Sequence, residues 1–92
     1  MALKERLDAD LETAARAKDE VTLSVVRLLK SAIKYREIEL AKALDDAEIH
    51  GVIASEIKRR RDSIEQHRAG NQGDLAEREE AEIRVLKAWL PA

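Results

Sequence analysis

A chain of 92 residues with 39% charged side chains, a net charge of -2 and no cysteine reads as one small domain without a disulfide framework, a thiolate metal site or a cysteine nucleophile. The near balance of charge excludes a strongly basic coat for nucleic acid, and Tyr35 and Trp89, the only aromatic residues, cannot build stacking platforms for single-stranded bases. No run approaches the ~18 to 20 apolar residues that span a bilayer, and residues 1–10 alternate charge and leucine where a secretory signal has an apolar core. A cytoplasmic protein with no membrane attachment is expected.

Gly51, Gly70, Gly73 and Pro91 are the only glycines and proline in a chain otherwise rich in Ala, Leu, Glu, Lys and Arg, a composition that favours helix throughout. Leu3, Leu7, Leu11 and Ala14 form one stripe on a first helix of about four turns. Asp19 is placed to accept a hydrogen bond from a free amide at the start of a second helix that runs to about Leu40. Its apolar arc, from Val21 through Val25, Val26, Leu28, Leu29, Ala32, Ile33 and Tyr35 to Leu40, covers about half the circumference and marks the central helix.

Asp45 and Glu48 have capping-box spacing and open a third helix with Ile49, Val52, Ile53, Ile57 and Ile64 inside. Gly70 is its expected left-handed stop. The fourth helix is expected from about Asp74 to Leu90, with Leu75, Ile83, Leu86 and Leu90 inward and Pro91 discouraging continuation. The fold class predicted is all-α: a compact four-helix domain over residues 1–92 whose third and fourth helices make an antiparallel hairpin.

Charges that fall inside apolar arcs need partners, because an unpaired buried charge is costly. Arg60 projects among Ile53, Ile57 and Ile64, and Glu79 among Leu75, Ile83 and Leu86, with Glu82 at the edge. Arg60 or Arg61 is therefore expected to meet Glu79 or Glu82 as a structural ion pair across the hairpin. Arg36 is expected to snorkel past the end of the core.

Lys58, Arg59, Arg60 and Arg61 resemble a phosphate strip, but consecutive helical residues point about 100° apart and cannot face one ligand together. Lys58 and Arg59 point outward, with Asp62 and Glu65 near enough to neutralise them. Arg27, Lys30 and Lys34 share one outer stripe, and are the more coherent candidates for contacting nucleic-acid phosphates. His50 and His67 stand apart without metal-binding spacing, the serines occupy no nucleophile motif, and the glycines make no nucleotide loop. No catalytic residue, metal or cofactor is expected.

Val26 to Lys34, Glu56 to Gln66 followed by Ala69-Gly70, and Asp74-Leu75 with Glu79 to Ile83 ending in Leu90-Pro91 together resemble the GatB/YqeY family along essentially the whole chain. The resemblance implies a helical domain related to the C-terminal appendage of the B subunit of the glutamine-dependent aminoacyl-tRNA amidotransferase, where the appendage helps recognise tRNA and the active sites lie elsewhere. It also implies a family label, carbon–nitrogen ligase with glutamine as amido donor, for which these residues offer no chemistry. Two departures stand out: this chain is expected to lack the family's second, smaller helical domain, and His67 takes a position where a large apolar residue is expected.

Three functions follow, in order. The first is a non-catalytic tRNA-associated module using Arg27, Lys30 and Lys34, with Lys58 and Arg59 as further phosphate contacts. The second is a protein-interaction or self-association module with an apolar surface near Trp89 and Leu90. The third, an enzyme acting on amide nitrogen, rests on the family resemblance alone.

Overall fold

Three of the four helices begin where a side chain supplies an acceptor for a free first-turn amide. The computed structural model describes residues 2–91, in which α1 is Leu3–Ala17, α2 Glu20–Leu40, α3 Asp46–Ala69 and α4 Gly73–Lys87, with no strand among the described residues. Asp19 accepts from the Thr22 amide at 3.1 Å and starts α2. Asp45 accepts from the Glu48 amide at 2.8 Å while Glu48 accepts from the Asp45 amide at 3.2 Å, the reciprocal capping box anticipated from spacing. α1 borrows its cap from another helix: the Leu3 amide donates to Asp46 Oδ1 at 3.1 Å, which ties the starts of α1 and α3 together.

Two ends differ from expectation. Gly70 is not the left-handed residue that stops α3, having φ -85°; the chain turns one residue later at Asn71, φ 62°. Asparagine tolerates that region because its short side chain bonds locally. α4 stops at Lys87, short of Leu90, because the amides of Ala88, Trp89 and Leu90 bond three residues back, to Val85, Leu86 and Lys87. Such tightening closes a helix end by satisfying its last carbonyls.

α3 and α4 share the most extensive interface, joined by residues 70–72. Their contacts run in opposite order, Arg60 to Glu82 but His67 to Glu79, so the hairpin is antiparallel. α1 and α2 are antiparallel as well, since Asp8 pairs with Lys30 and Lys4 with Glu37. The core between the pairs is aliphatic: Leu7, Val25, Val26, Leu29, Ile49, Ile53 and Leu86 are fully buried, and no polar or charged residue is buried with them among the described residues. On α4 the inward position is Ala76, and Leu75, expected inside, is 45% exposed.

Trp89 is buried in the same core, 3% exposed, with its indole Nε1 donating to Asp10 Oδ2 at 2.7 Å. Arg6 completes the clasp by donating to the Ala88 carbonyl at 2.7 Å. The segment past α4 is thus fastened to α1, and Trp89, expected on an exposed apolar surface with Leu90, is buried while Leu90 is half-buried against the core.

Gly51 sits within α3, and a Cβ on it would meet nothing within 4 Å. Gly51→Ala is therefore expected to stabilise the protein by about 0.5 to 1 kcal/mol, the usual cost of a mid-helix glycine, read as a higher denaturant midpoint at unchanged slope.

Acid should loosen the joints between helices. The Lys4 ammonium, then the Leu44 amide, hold the Glu37 carboxyl below its ordinary value of 4.5; Lys42, then the Asp45 amide, do the same for Glu48. Both groups have folded values below their unfolded ones, so their contribution is complete above about pH 4.5 and is lost as pH falls through the lowered values. Melting temperature should drop from about pH 5 to about pH 3, and Glu37→Gln should drop less over that interval because the group that titrates is gone.

Candidate functional site

α2 presents three faces, each about 120° from the next at 100° per residue. Val26, Leu29 and Ile33 point into the core. Arg27, Lys30 and Lys34 occupy a second face, all exposed. Leu28, Ala32 and Tyr35 occupy the third and line a groove.

The cationic face is partly neutralised by groups that periodicity on one helix could not reveal. Lys30 Nζ bonds the Asp8 carboxylate of α1. Lys34 shares a depression of about 220 Å³ with Lys4, Asp8 and Glu37, where Lys4 and Glu37 are paired. Arg27 makes no ion pair among the described residues. Among the described residues the face therefore offers Arg27 and Lys34 without an ion pair and Lys30 paired with Asp8.

Lys58 is exposed on α3. Arg59 is exposed too, but its guanidinium lies 3.5 Å from Glu56 Oε1 and it lines the groove, so the structure does not join it to the α2 stripe. Its neutralising carboxylate is Glu56, not Asp62 or Glu65. Arg36 lies beside the same groove, half-exposed and 3.5 Å from Glu39.

At the α3–α4 end of the groove, charge is arranged more tightly. Arg60, with a side chain only 12% exposed, has Nη1 3.1 Å from Glu56 Oε2 and Nη2 3.8 Å from Glu82 Oε2. Arg61 is exposed and has no ion-pair partner among the described residues. Glu79 pairs with neither arginine: its Oε1 accepts from Ser63 Oγ at 2.9 Å and lies 2.9 Å from His67 Nδ1, while its Oε2 is buried without a donor. His67 therefore stands where an apolar residue was expected and faces a carboxylate.

Ser63, Glu79 and His67 were not grouped by sequence spacing, and they include the residue types of a nucleophilic triad. Their order is wrong for one. The carboxylate stands between hydroxyl and imidazole, so the imidazole is not placed to take the serine proton. Among the described residues no three His, Asp or Glu side chains are grouped to hold a metal ion, and no helix is long and apolar enough to cross a membrane.

The groove itself, about 1180 Å³, runs between α2 and α3 and reaches Glu79 and Glu82 of α4. It leaves Leu28 54%, Tyr35 68% and Leu40 40% exposed, although all three belong to the apolar arc of the central helix. The breadth of that arc, half a helix circumference in a small domain, was the available signal for an uncovered face.

The profile of a family described as Yqey-like protein matches residues 4–92. Among curated proteins the chain is 41% identical over 85 residues to the Lachancea thermotolerans protein called altered inheritance of mitochondria protein 41, mitochondrial, an alignment covering 91% of this chain and 46% of that relative. Proteins of the same name from Saccharomyces cerevisiae and Vanderwaltozyma polyspora are 34% and 33% identical with the same coverage. The chain thus spans about half the length of these relatives. Their name also overturns the expected cytoplasmic location, because these relatives are mitochondrial proteins. A cysteine-free chain is compatible with any reducing compartment, so the feature behind that expectation could not single out the cytoplasm.

Proposed function

This chain belongs to the YqeY-like protein family, and we propose that it is a non-catalytic, tRNA-associated helical module related to the tRNA-recognising appendage of the glutamine-dependent amidotransferase. The observation that carries the reading is the α2 face on which Arg27, Lys30 and Lys34 point the same way into solvent. Three cations spaced along about 10 Å of helix suit successive phosphates of a folded RNA and need no base stacking. Asp8 and Glu37 beside them temper the attraction, which fits a weak contact that assists a larger assembly.

In this reading the carbon–nitrogen ligase label belongs to the chemistry of the amidotransferase, and this module contributes binding alone. The interrupted order of Ser63, Glu79 and His67 supports that division. Binding of tRNA that weakens with salt, and weakens further when the α2 cations are changed to glutamine, is the test. A protein-docking role is the second reading, favoured by the exposure of Leu28 and Tyr35 on a different face of α2.

A further inference from the structure

We propose that the groove between α2 and α3 seats an amphipathic helix of a partner protein, with apolar side chains on the Leu28–Ala32–Tyr35 stripe and a basic side chain at the Glu79–Glu82 end. Residues 28, 32 and 35 follow the i, i+4, i+7 spacing with which one helix receives another, and Leu28 and Tyr35 are left 54% and 68% exposed. The opposite wall has a low stretch among Glu48, Val52, Glu56 and Arg59. Gly51 and Ser55 line it, and a Cβ at Gly51 would meet nothing within 4 Å. A helix is about 10 to 12 Å across with its side chains, so it needs a flank without bulk.

The size of the space points the same way. At about 1180 Å³ it exceeds the roughly 300 to 1,000 Å³ of clefts that enclose a small molecule, and it extends along two helices. Helix-in-groove recognition has this form.

Charge selects among occupants. Five carboxylates and three guanidiniums line the groove. At its inner end the carboxylates of Glu56, Glu79 and Glu82 meet the guanidiniums of Arg59 and Arg60, three acids against two, with Ser63 and His67 on Glu79. That excess repels RNA phosphates, so this face is separate from the cationic stripe. It also disfavours a second copy of the chain paired through the same face, which would set acid against acid. A lysine or arginine at one end of an apolar helix complements it.

The probe is a pair of synthetic amphipathic peptides with leucines at i, i+4 and i+7, identical except that one carries lysines and the other glutamates near one end. Fluorescence anisotropy of each labelled peptide is read against the unmodified chain. The basic peptide should bind at least ten-fold more tightly than the acidic one. Ser55→Leu, which fills an exposed position of the groove, should weaken the basic peptide at least ten-fold, whereas Arg27→Gln on the other face should leave it unchanged.

Equal binding of the two peptides, or no binding of the basic one at about 100 μM, overturns the proposal, and both readings need only the unmodified chain. Dimerisation of the chain that Ser55→Leu abolishes also overturns it, by giving the groove to a second copy. Failure here leaves the tRNA reading standing, since that rests on Arg27, Lys30 and Lys34.

Discussion

Trp89→Ala should cost about 3 to 5 kcal/mol, the range for removing a large aromatic side chain from a packed core. Trp89 is 3% exposed and its indole bonds Asp10 on α1, so truncation opens a cavity and also releases the clasp between the chain end and the first helix. A domain of this length carries roughly 5 to 14 kcal/mol in total, so the loss is a large fraction of all its stability. Melting temperature should fall by at least about 12 °C. Trp89→Phe keeps most of the apolar volume and gives up one hydrogen bond, so its cost should be clearly smaller. A melting temperature unchanged by the alanine variant would mean that the indole is not in the core.

The helices were legible where one residue acts on its near neighbours. Asp19, and Asp45 with Glu48, cap the amides that their spacing indicated. Local signals failed where two residues compete for one duty. Asn71 takes the left-handed turn next to Gly70, and Ala76 takes the buried position next to Leu75. A residue as small as Ala76 lets α4 lie close to its neighbours, and periodicity weighted by hydrophobicity undervalues it.

Contacts between elements were the hardest to see. Arg60 interrupts one apolar arc and Glu82 lies at the edge of another, and the structure sets them 3.8 Å apart. Nothing in spacing could indicate that Glu79 meets Ser63 and His67, or that Trp89 is held by a carboxylate 79 residues away. The candidate surfaces show the same division. The Arg27–Lys30–Lys34 stripe could be traced on α2, but the carboxylate of Asp8 that shares Lys30 comes from α1. The groove exists because no element among the described residues covers Leu28 and Tyr35, which only the arrangement of α2, α3 and α4 could decide.

Changing Arg27, Lys30 and Lys34 together to glutamine should nearly abolish the electrostatic part of tRNA binding. If each cation contacts one phosphate, about 0.9 per contact gives a salt slope near -2.7, or roughly a 40-fold loss of affinity between about 50 and 200 mM salt. The triple variant should bind weakly with a nearly flat dependence. It should still fold, because the three side chains are exposed and the one ion pair lost, Lys30 with Asp8, lies at the surface and is worth at most about 1 kcal/mol. Asp8→Asn should act in the opposite sense, freeing Lys30 and strengthening binding.

The affinity of the purified chain for tRNA, measured at several salt concentrations with and without the three glutamine substitutions, tests the tRNA-module account most directly. Binding that falls steeply with salt, and a triple variant that flattens the slope, are the predicted results. A chain that binds no tRNA at low salt, or binds it equally well without those cations, would contradict it.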